Sequence, residues 1–457
     1  MQMWGGVECS VVRVGDRWRD QVRQTGHHGR LDDLDRIAAL GIRTLRYPVL
    51  WERCTDGPAH AGWAWHDERL ERLRELGITA IVGLVHHGSG PPGVHHLHPD
   101  WAEGLARHAA AVAERYPWIT HWTPVNEPLT TARFTGLYGL WHPHLSFELA
   151  FGAMLFNQCR AVLLAMREIR ERIPGAKLVQ TEDLGRVFST PRLAYQAAHD
   201  NELRWLSLDL LCGQVDRKHP AWRRFSDIGF PLPWIDEFRA DPGPDILGIN
   251  HYVTSDRFLD HRTSLYPARL RGGNGRDAYV DTEAARMDLP LGETGWDARL
   301  REAWDRYRRP MAVTEAHLGC RDEAEQVRWL MEAWQATTAL RAEGADIRAV
   351  TAWSLFGAVD WDSMLRDGHG RYEAGVWDVS VTPPRPTSLA VAVEALARTG
   401  RYDAPLLARS WMVAPRRPAA PGGSAGMMAG SPLFADTDVC AAPFARRRAC
   451  VATARPW

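Results

Sequence analysis

Thr120-His121-Trp122-Thr123-Pro124-Val125-Asn126-Glu127-Pro128 reads as a strand that ends on a carboxylate. The run is rich in β-branched and aromatic residues, and Pro128 stops it one residue beyond Glu127. Working outward, seven more short runs of this kind alternate with longer segments whose apolar residues recur at helical spacing. The predicted strands are Trp4 to Glu8, Thr44 to Pro48, Thr79 to Val85, Thr120 to Glu127, Lys177 to Glu182, Ile246 to Tyr252, Met311 to Glu315 and Val350 to Leu355. The predicted helices include Arg30 to Leu40, Glu68 to Leu76, Trp101 to Tyr116, Glu148 to Arg172 and Glu323 to Arg341. Eight βα units predict an α/β chain closed into a (β/α)8 barrel. Such barrels place their sites at the C-terminal ends of the strands. The polar residues there, Glu8, Arg46, His86, Asn126, Glu127, Glu182, Asn250, Tyr252, Glu315 and Trp353, are therefore the candidates.

The rest of the composition narrows the function classes. The chain has 457 residues, 45% of them hydrophobic and 24% charged, which is globular usage. One large barrel domain is expected over residues 1–410. From 411 to 457 the text turns to Pro, Ala, Gly and Arg without any period, and predicts a low-complexity, disordered tail or the remnant of a further domain. A formal net charge of −1 offers no field for nucleic acid. No run of about 18 to 20 apolar residues predicts a membrane span. The start Met1-Gln2-Met3-Trp4-Gly5-Gly6 lacks the pattern of a secretory leader, so a soluble, cytoplasmic protein is expected. Seven scattered cysteines without a CxxC pair fit reduced thiols. Nothing in the sequence specifies an oligomeric state.

Glu127 closes the fourth predicted strand, and Val313-Thr314-Glu315 closes the seventh. Across an eight-stranded barrel those two ends face one another. Two opposed carboxyl groups are what cleavage of a glycosidic bond requires. One protonates the leaving oxygen while the other attacks the anomeric carbon or stabilises its charge. In the retaining mechanism they lie about 5 to 5.5 Å apart, and their environments must push the two pKa values in opposite directions.

Ordered segments along the chain strengthen this expectation. Thr123-Pro124-Val125-Asn126-Glu127-Pro128 resembles the acid/base motif of glycoside hydrolase family 1, the β-glucosidase and 6-phospho-β-glycosidase family. Val313-Thr314-Glu315 resembles the start of its nucleophile motif, with Ala316-His317 where Asn-Gly is usual. Trp4-Gly5-Gly6, Arg46-Tyr47-Pro48 with Trp51, Val85-His86-His87, Asn201-Glu202 with Arg204-Trp205, Gly248-Ile249-Asn250-His251-Tyr252 and Trp353-Ser354-Leu355 follow in the family's order. The chain is identified as similar to a divergent member over about residues 3 to 405. The resemblance implies a retaining β-glycosidase acting on a carbohydrate without a cofactor, with Glu127 as acid/base and Glu315 as nucleophile. It implies that Arg46 and Tyr252 orient Glu315, that Asn126 holds the sugar 2-hydroxyl, that His86 contacts a ring hydroxyl, and that Trp353 is the floor beneath the ring.

The departures from the family predict an altered subsite. The family's substrate-reading glutamine falls on Val12, beside Arg13, with Glu8 upstream as a candidate contact. Asp360 stands where a glutamate grips the 4- and 6-hydroxyls, followed by Trp361. Two alternatives stay open: a transglycosidase, and a barrel that binds sugar without cutting it. His86, His87, His95, His96 and His98 form no ligand pattern, so no metal is expected. Of the 21 tryptophans, Trp353, Trp361 and Trp141 are the ones assigned to the site, and the Arg299 to Arg309 stretch is expected to be a solvated helix face. Arg13 or Arg366 would serve a phosphorylated sugar.

Overall fold

The protein is described by a computed structural model, which covers residues 1–227, 235–290 and 292–403. The predicted tail, with Cys440 and Cys450, lies outside the described residues. The barrel strands are β1 (Gln2–Gly6), β2 (Thr44–Pro48), β3 (Thr79–His86), β4 (His121–Asn126), β5 (Lys177–Asp183), β6 (Ile246–Asn250), β7 (Met311–Ala316) and β8 (Ile347–Ala352). All neighbours pair in parallel and β8 closes onto β1, so the strands stand around the barrel in sequence order. This is the predicted (β/α)8 barrel.

Alternation of side chains along each strand explains both faces of the wall. Inward, Trp4, Ile81, Val179 and Ala312, from β1, β3, β5 and β7, pack with Ala349 into a layer that fills the barrel. Outward, Leu45, Val82, Val125, Leu178, Leu247 and Val313 join the core shared with the helices. The helix Glu148–Arg172 is long and apolar enough to cross a membrane, but 72% of its apolar window is buried within the fold. It is a core helix packed on Trp101–Arg115. Burial also corrects the reading of Arg299: it is fully buried, with Nη1 2.9 Å from Asp256 Oδ1, and is no part of a solvated face.

Two additions over the barrel mouth were not predicted. A hairpin, Val11–Val14 with Arg17–Asp20, follows β1. A four-stranded sheet collects Val187–Ser189, Arg257–Asp260, Arg271–Gly273 and Ala278–Glu283 from the segments after β5 and β6. Among the described cysteines, Cys9, Cys54, Cys159, Cys212 and Cys320 are free thiols.

Candidate active site

The strand ends converge on one cleft with a cavity of about 270 Å³. Both catalytic candidates line it, together with Glu8, Tyr252, Trp353 and Trp361.

Glu315 is aimed by an irregularity in its strand. β7 pairs with β6 in register from Met311 to Val313, then skips, so that Glu315 and not Thr314 opposes Asn250. Such a bulge re-aims a side chain beside a site. Thr314 is held by Arg46 Nη1, which donates to its carbonyl at 2.8 Å, and its own hydroxyl donates to Asn250 Oδ1 at 2.6 Å. Arg46 Nη1 also donates to Glu315 Oε1 at 2.7 Å, and the Tyr252 hydroxyl donates to Glu315 Oε2. Glu315 is 2% exposed and ion-paired to Arg46. Arg46 is itself fixed by Asn126 Oδ1, which accepts from Nη2 at 2.7 Å and from Thr181 Oγ1 at 2.8 Å.

Glu127 has the opposite surroundings. It sits in a left-handed backbone conformation, φ 47°, directly before the helical turn Pro128–Ala132. Glu182 of β5 secures that turn by accepting from the backbone N–H of Leu129 at 2.8 Å and Thr130 at 3.2 Å, so this strand-end carboxylate braces the site instead of facing substrate. Glu127 Oε1 accepts one amide hydrogen bond, from Asn250 Nδ2 at 2.5 Å. His87 Nε2 lies 3.7 Å from Oε2, and burial together with Arg46 pushes the His87 imidazole down to about 3, so the ring is neutral. With no Arg or Lys ion-paired to it among the described residues, burial and the negative charges of Glu315, Asp183 and Glu182 hold the Glu127 carboxyl well above the usual range. Glu8 is raised to about 6, by burial above all, against two stabilising contacts from Ser10. Asp183 is raised to about 7, again by burial, against a hydrogen bond from Ser255.

Trp353 is admitted by Gly6, where an added Cβ would lie 2.4 Å from the indole. The His86 ring stacks on Trp353, with centroids 5.5 Å apart at 7°, and Arg46 lies 4.8 Å from its centroid. The indole therefore forms one wall of the cleft over a rigid base.

Several predicted contacts are placed differently. His86 lies one layer behind Trp353, and its neighbour His87 lines the cleft instead. Asp360 is corrected outright: it adopts φ 60° and is 1% exposed, and its Oδ1 accepts from the Arg371 N–H at 2.9 Å. Its carboxylate is spent inside its own loop, and Asp362 reaches the cleft two residues later. Val12 is fully buried against Trp141 and Leu365, so the hairpin removes it from the site while Glu8 enters. Trp141 is likewise core, donating to the Met364 carbonyl at 2.8 Å. The histidine-rich loop diverges: His87 bonds Thr131, His96 bonds the Gly88 carbonyl, and His95 meets the His142 ring. Among the described residues no group of His, Cys, Asp or Glu is arranged to hold a metal. His87, Asp183, Asp362, His317 and Glu373 line the cleft and were not selected from the sequence. His87 stood inside the quoted Val85-His86-His87 segment without a role assigned to it, and His317 was visible only as a departure.

The site and the fold define a class, a (β/α)8 barrel with two glutamates opposed across its mouth. No family model matches the chain. It is 25% identical over 345 residues to a 6-phospho-β-glucosidase of Dickeya chrysanthemi, covering 70% of this chain and 71% of that one. It is 22% identical over 417 residues to β-glucosidase 47 of Arabidopsis thaliana, covering 81% and 76%. The fold matches a β-glucosidase from Thermotoga maritima solved with azafagomine, at a TM-score of 0.69 and 16% identity over 88% of this chain and 98% of that one. The chain is thus similar, at low identity, to β-glucosidases and phospho-β-glucosidases, and its fold to that of a family 1 β-glucosidase.

Proposed function

We propose that the protein is a retaining β-glycosidase that hydrolyses O-glycosidic bonds. The observation that carries this is the opposed treatment of two buried glutamates. Glu315 is ion-paired to Arg46 and bonded to Tyr252, whereas Glu127 is ion-paired to no Arg or Lys among the described residues and is pushed towards its neutral form. Glu315 attacks the anomeric carbon and forms a glycosyl-enzyme. Glu127 protonates the departing oxygen, then takes a proton from the water that releases the sugar. Asn250 couples the two roles, because it faces Glu315 in the strand register and donates to Glu127. Asn126, whose Nδ2 lies 3.2 Å from His86 Nε2 and 3.5 Å from His87 Nε2, meets the sugar 2-hydroxyl, and Trp353 supplies the apolar wall for the ring. The names of the relatives, β-glucosidases and phospho-β-glucosidases, support the reaction class.

The glycone we infer carries no phosphate. Arg13 is engaged by the Gly15 carbonyl and Asp16, and Arg366 by the Ser363 carbonyl. Neither lines the cleft; Arg204 and Arg257, which do, are paired to Glu302 at 2.9 Å and Asp281 at 2.8 Å, and Arg133 follows Glu127 on the leaving-group side, whereas the side of Glu315 and Trp361 carries Glu8, Asp362 and Glu373. A dianionic group would meet carboxylates there.

The test is hydrolysis of aryl β-glycosides in gluco, galacto, fuco, xylo, manno and 6-phospho forms by wild type and Glu315→Gln. Wild type is expected to cleave a neutral member with retained anomeric configuration and to spare the 6-phospho form, and the variant to fall by at least about 10³-fold. Wild-type rates in the variant would end the assignment. Products that form only with added sugar acceptors would favour a transglycosidase, and binding without turnover a non-catalytic barrel.

A further inference from the structure

Two residues beyond Glu315 the cleft wall carries an imidazole with nothing to bond. His317 is 8% exposed and lines the cleft, and among the described residues neither of its ring nitrogens has a hydrogen-bond partner. Glu373 stands beside it, with Nε2 and Oε2 3.7 Å apart, too far for a hydrogen bond. Glu373 is also largely buried, its side chain 11% exposed, and it too lines the cleft. Its position is built. It lies on the short strand Tyr372–Glu373, paired with Ala358–Val359, and an added Cβ on Gly319 would come within 2.4 Å of its Oε2. The glycine thus keeps open the space that the carboxylate occupies.

Buried polar atoms without partners are costly, so orphaned ones in a cleft mark where a ligand supplies the bond. A neutral imidazole presents one donor and one acceptor, and a carboxylate presents acceptors only. Side by side they match adjacent hydroxyls on a sugar ring, each of which can donate and accept. The fold says which part of the substrate meets them. His317 continues the strand of the nucleophile, and Glu373 pairs with the loop that follows Trp353 and carries Trp361. The opposite side of the cleft, with Arg133, Tyr138, Val187 and Leu259, follows Glu127, β5 and β6, and is where a leaving group protonated by Glu127 departs.

We propose that His317 and Glu373 form a two-point site that reads hydroxyls of the glycone away from the anomeric carbon, and so set which sugar the protein accepts. This rests on the glycosidase reading for the word glycone, but the site itself is a statement about binding. It is therefore tested by binding, and turnover tests the other.

The probes are methyl β-D-glucopyranoside, methyl β-D-galactopyranoside and their 4-deoxy and 6-deoxy forms, titrated calorimetrically into wild type, His317→Phe and Glu373→Gln. Wild type is expected to bind at least one parent sugar and to bind one of its deoxy analogues at least about tenfold more weakly, because a site made for a hydroxyl penalises its loss. In both variants that ratio should fall below about threefold. Glu373→Gln is isosteric and serves if His317→Phe does not fold. Unchanged discrimination in the variants, or no binding of any probe by wild type, would overturn the proposal. Turnover lost in Glu315→Gln with discrimination kept there separates the two readings.

Discussion

Asp209, beneath the outer helices, and Glu127, in the barrel mouth, are both buried carboxylates, and their surroundings are opposite. Asp209 accepts from Arg306 Nε at 2.8 Å, Arg306 Nη2 at 2.6 Å and the Tyr307 hydroxyl at 2.7 Å, with His219 Nε2 at 3.0 Å. Burial works against its charge, but bonds from His219, Arg306 and Tyr307 outweigh it and hold the carboxyl below the usual range. Glu127 has one amide donor and a ring of other acids, and burial raises it. A saturated carboxylate is fixed as a charge and serves the fold. An undersupplied one keeps its proton within reach and can serve chemistry.

Breaking the comparison at Glu127 should give the larger effect. Glu127→Gln is expected to lower kcat/KM for alkyl β-glycosides by about 10²- to 10⁴-fold, and much less for aryl glycosides whose phenol leaves without a proton. Wild-type activity should fall as pH rises through the raised Glu127 pKa, and the variant should lack that alkaline limb. Equal losses on both leaving groups would remove Glu127 from proton transfer. At Asp209 the same kind of change should act on stability alone. Asp209→Asn leaves Arg306 without its counter-charge, so denaturant unfolding should show a loss of about 3 kcal/mol with kcat unchanged.

A smaller effect sharpens the rule away from the cleft. Glu52 is buried with Oε2 unpartnered and Oε1 accepting from the Gly90 N–H at 2.8 Å, and burial pushes it up to about 7. A folded-state pKa above the unfolded value means stability that is complete at acid pH and lost as pH rises through 7. Glu52→Gln should keep the Gly90 contact and flatten this dependence, raising stability at pH 8 relative to pH 5 by about 2 kcal/mol. Parallel stability profiles for wild type and variant would show that Glu52 does not titrate in this range.

The barrel was legible because its strands are short β-branched runs whose pattern is local. Thr44–Pro48 matches its predicted bounds and the others differ by a few residues at their ends. The two glutamates were legible because they close strands four and seven inside recognisable motifs, and Arg46 and Tyr252 do bond Glu315. What escaped depends on contacts distant in the chain. The sheet over the mouth joins Val187–Ser189 to Arg257–Asp260, short strands whose pairing no periodicity announces. Asp360 occupies the aligned position, but its left-handed backbone turns the carboxylate onto Arg371. Arg299 belongs to a charged run, and only Asp256 explains its burial. His317 and Glu373 meet across 56 positions, through a strand pairing invisible in either segment.

The most direct measurement is covalent trapping. The protein is incubated with 2,4-dinitrophenyl 2-deoxy-2-fluoro-β-glycosides of the gluco and galacto series, whose glycosyl-enzymes form quickly and hydrolyse slowly, and the intact mass and peptide map are recorded. The account predicts one sugar per chain, attached to the peptide at Glu315 and absent from Glu315→Gln. A label on another residue, or unlabelled protein under both reagents, would contradict it.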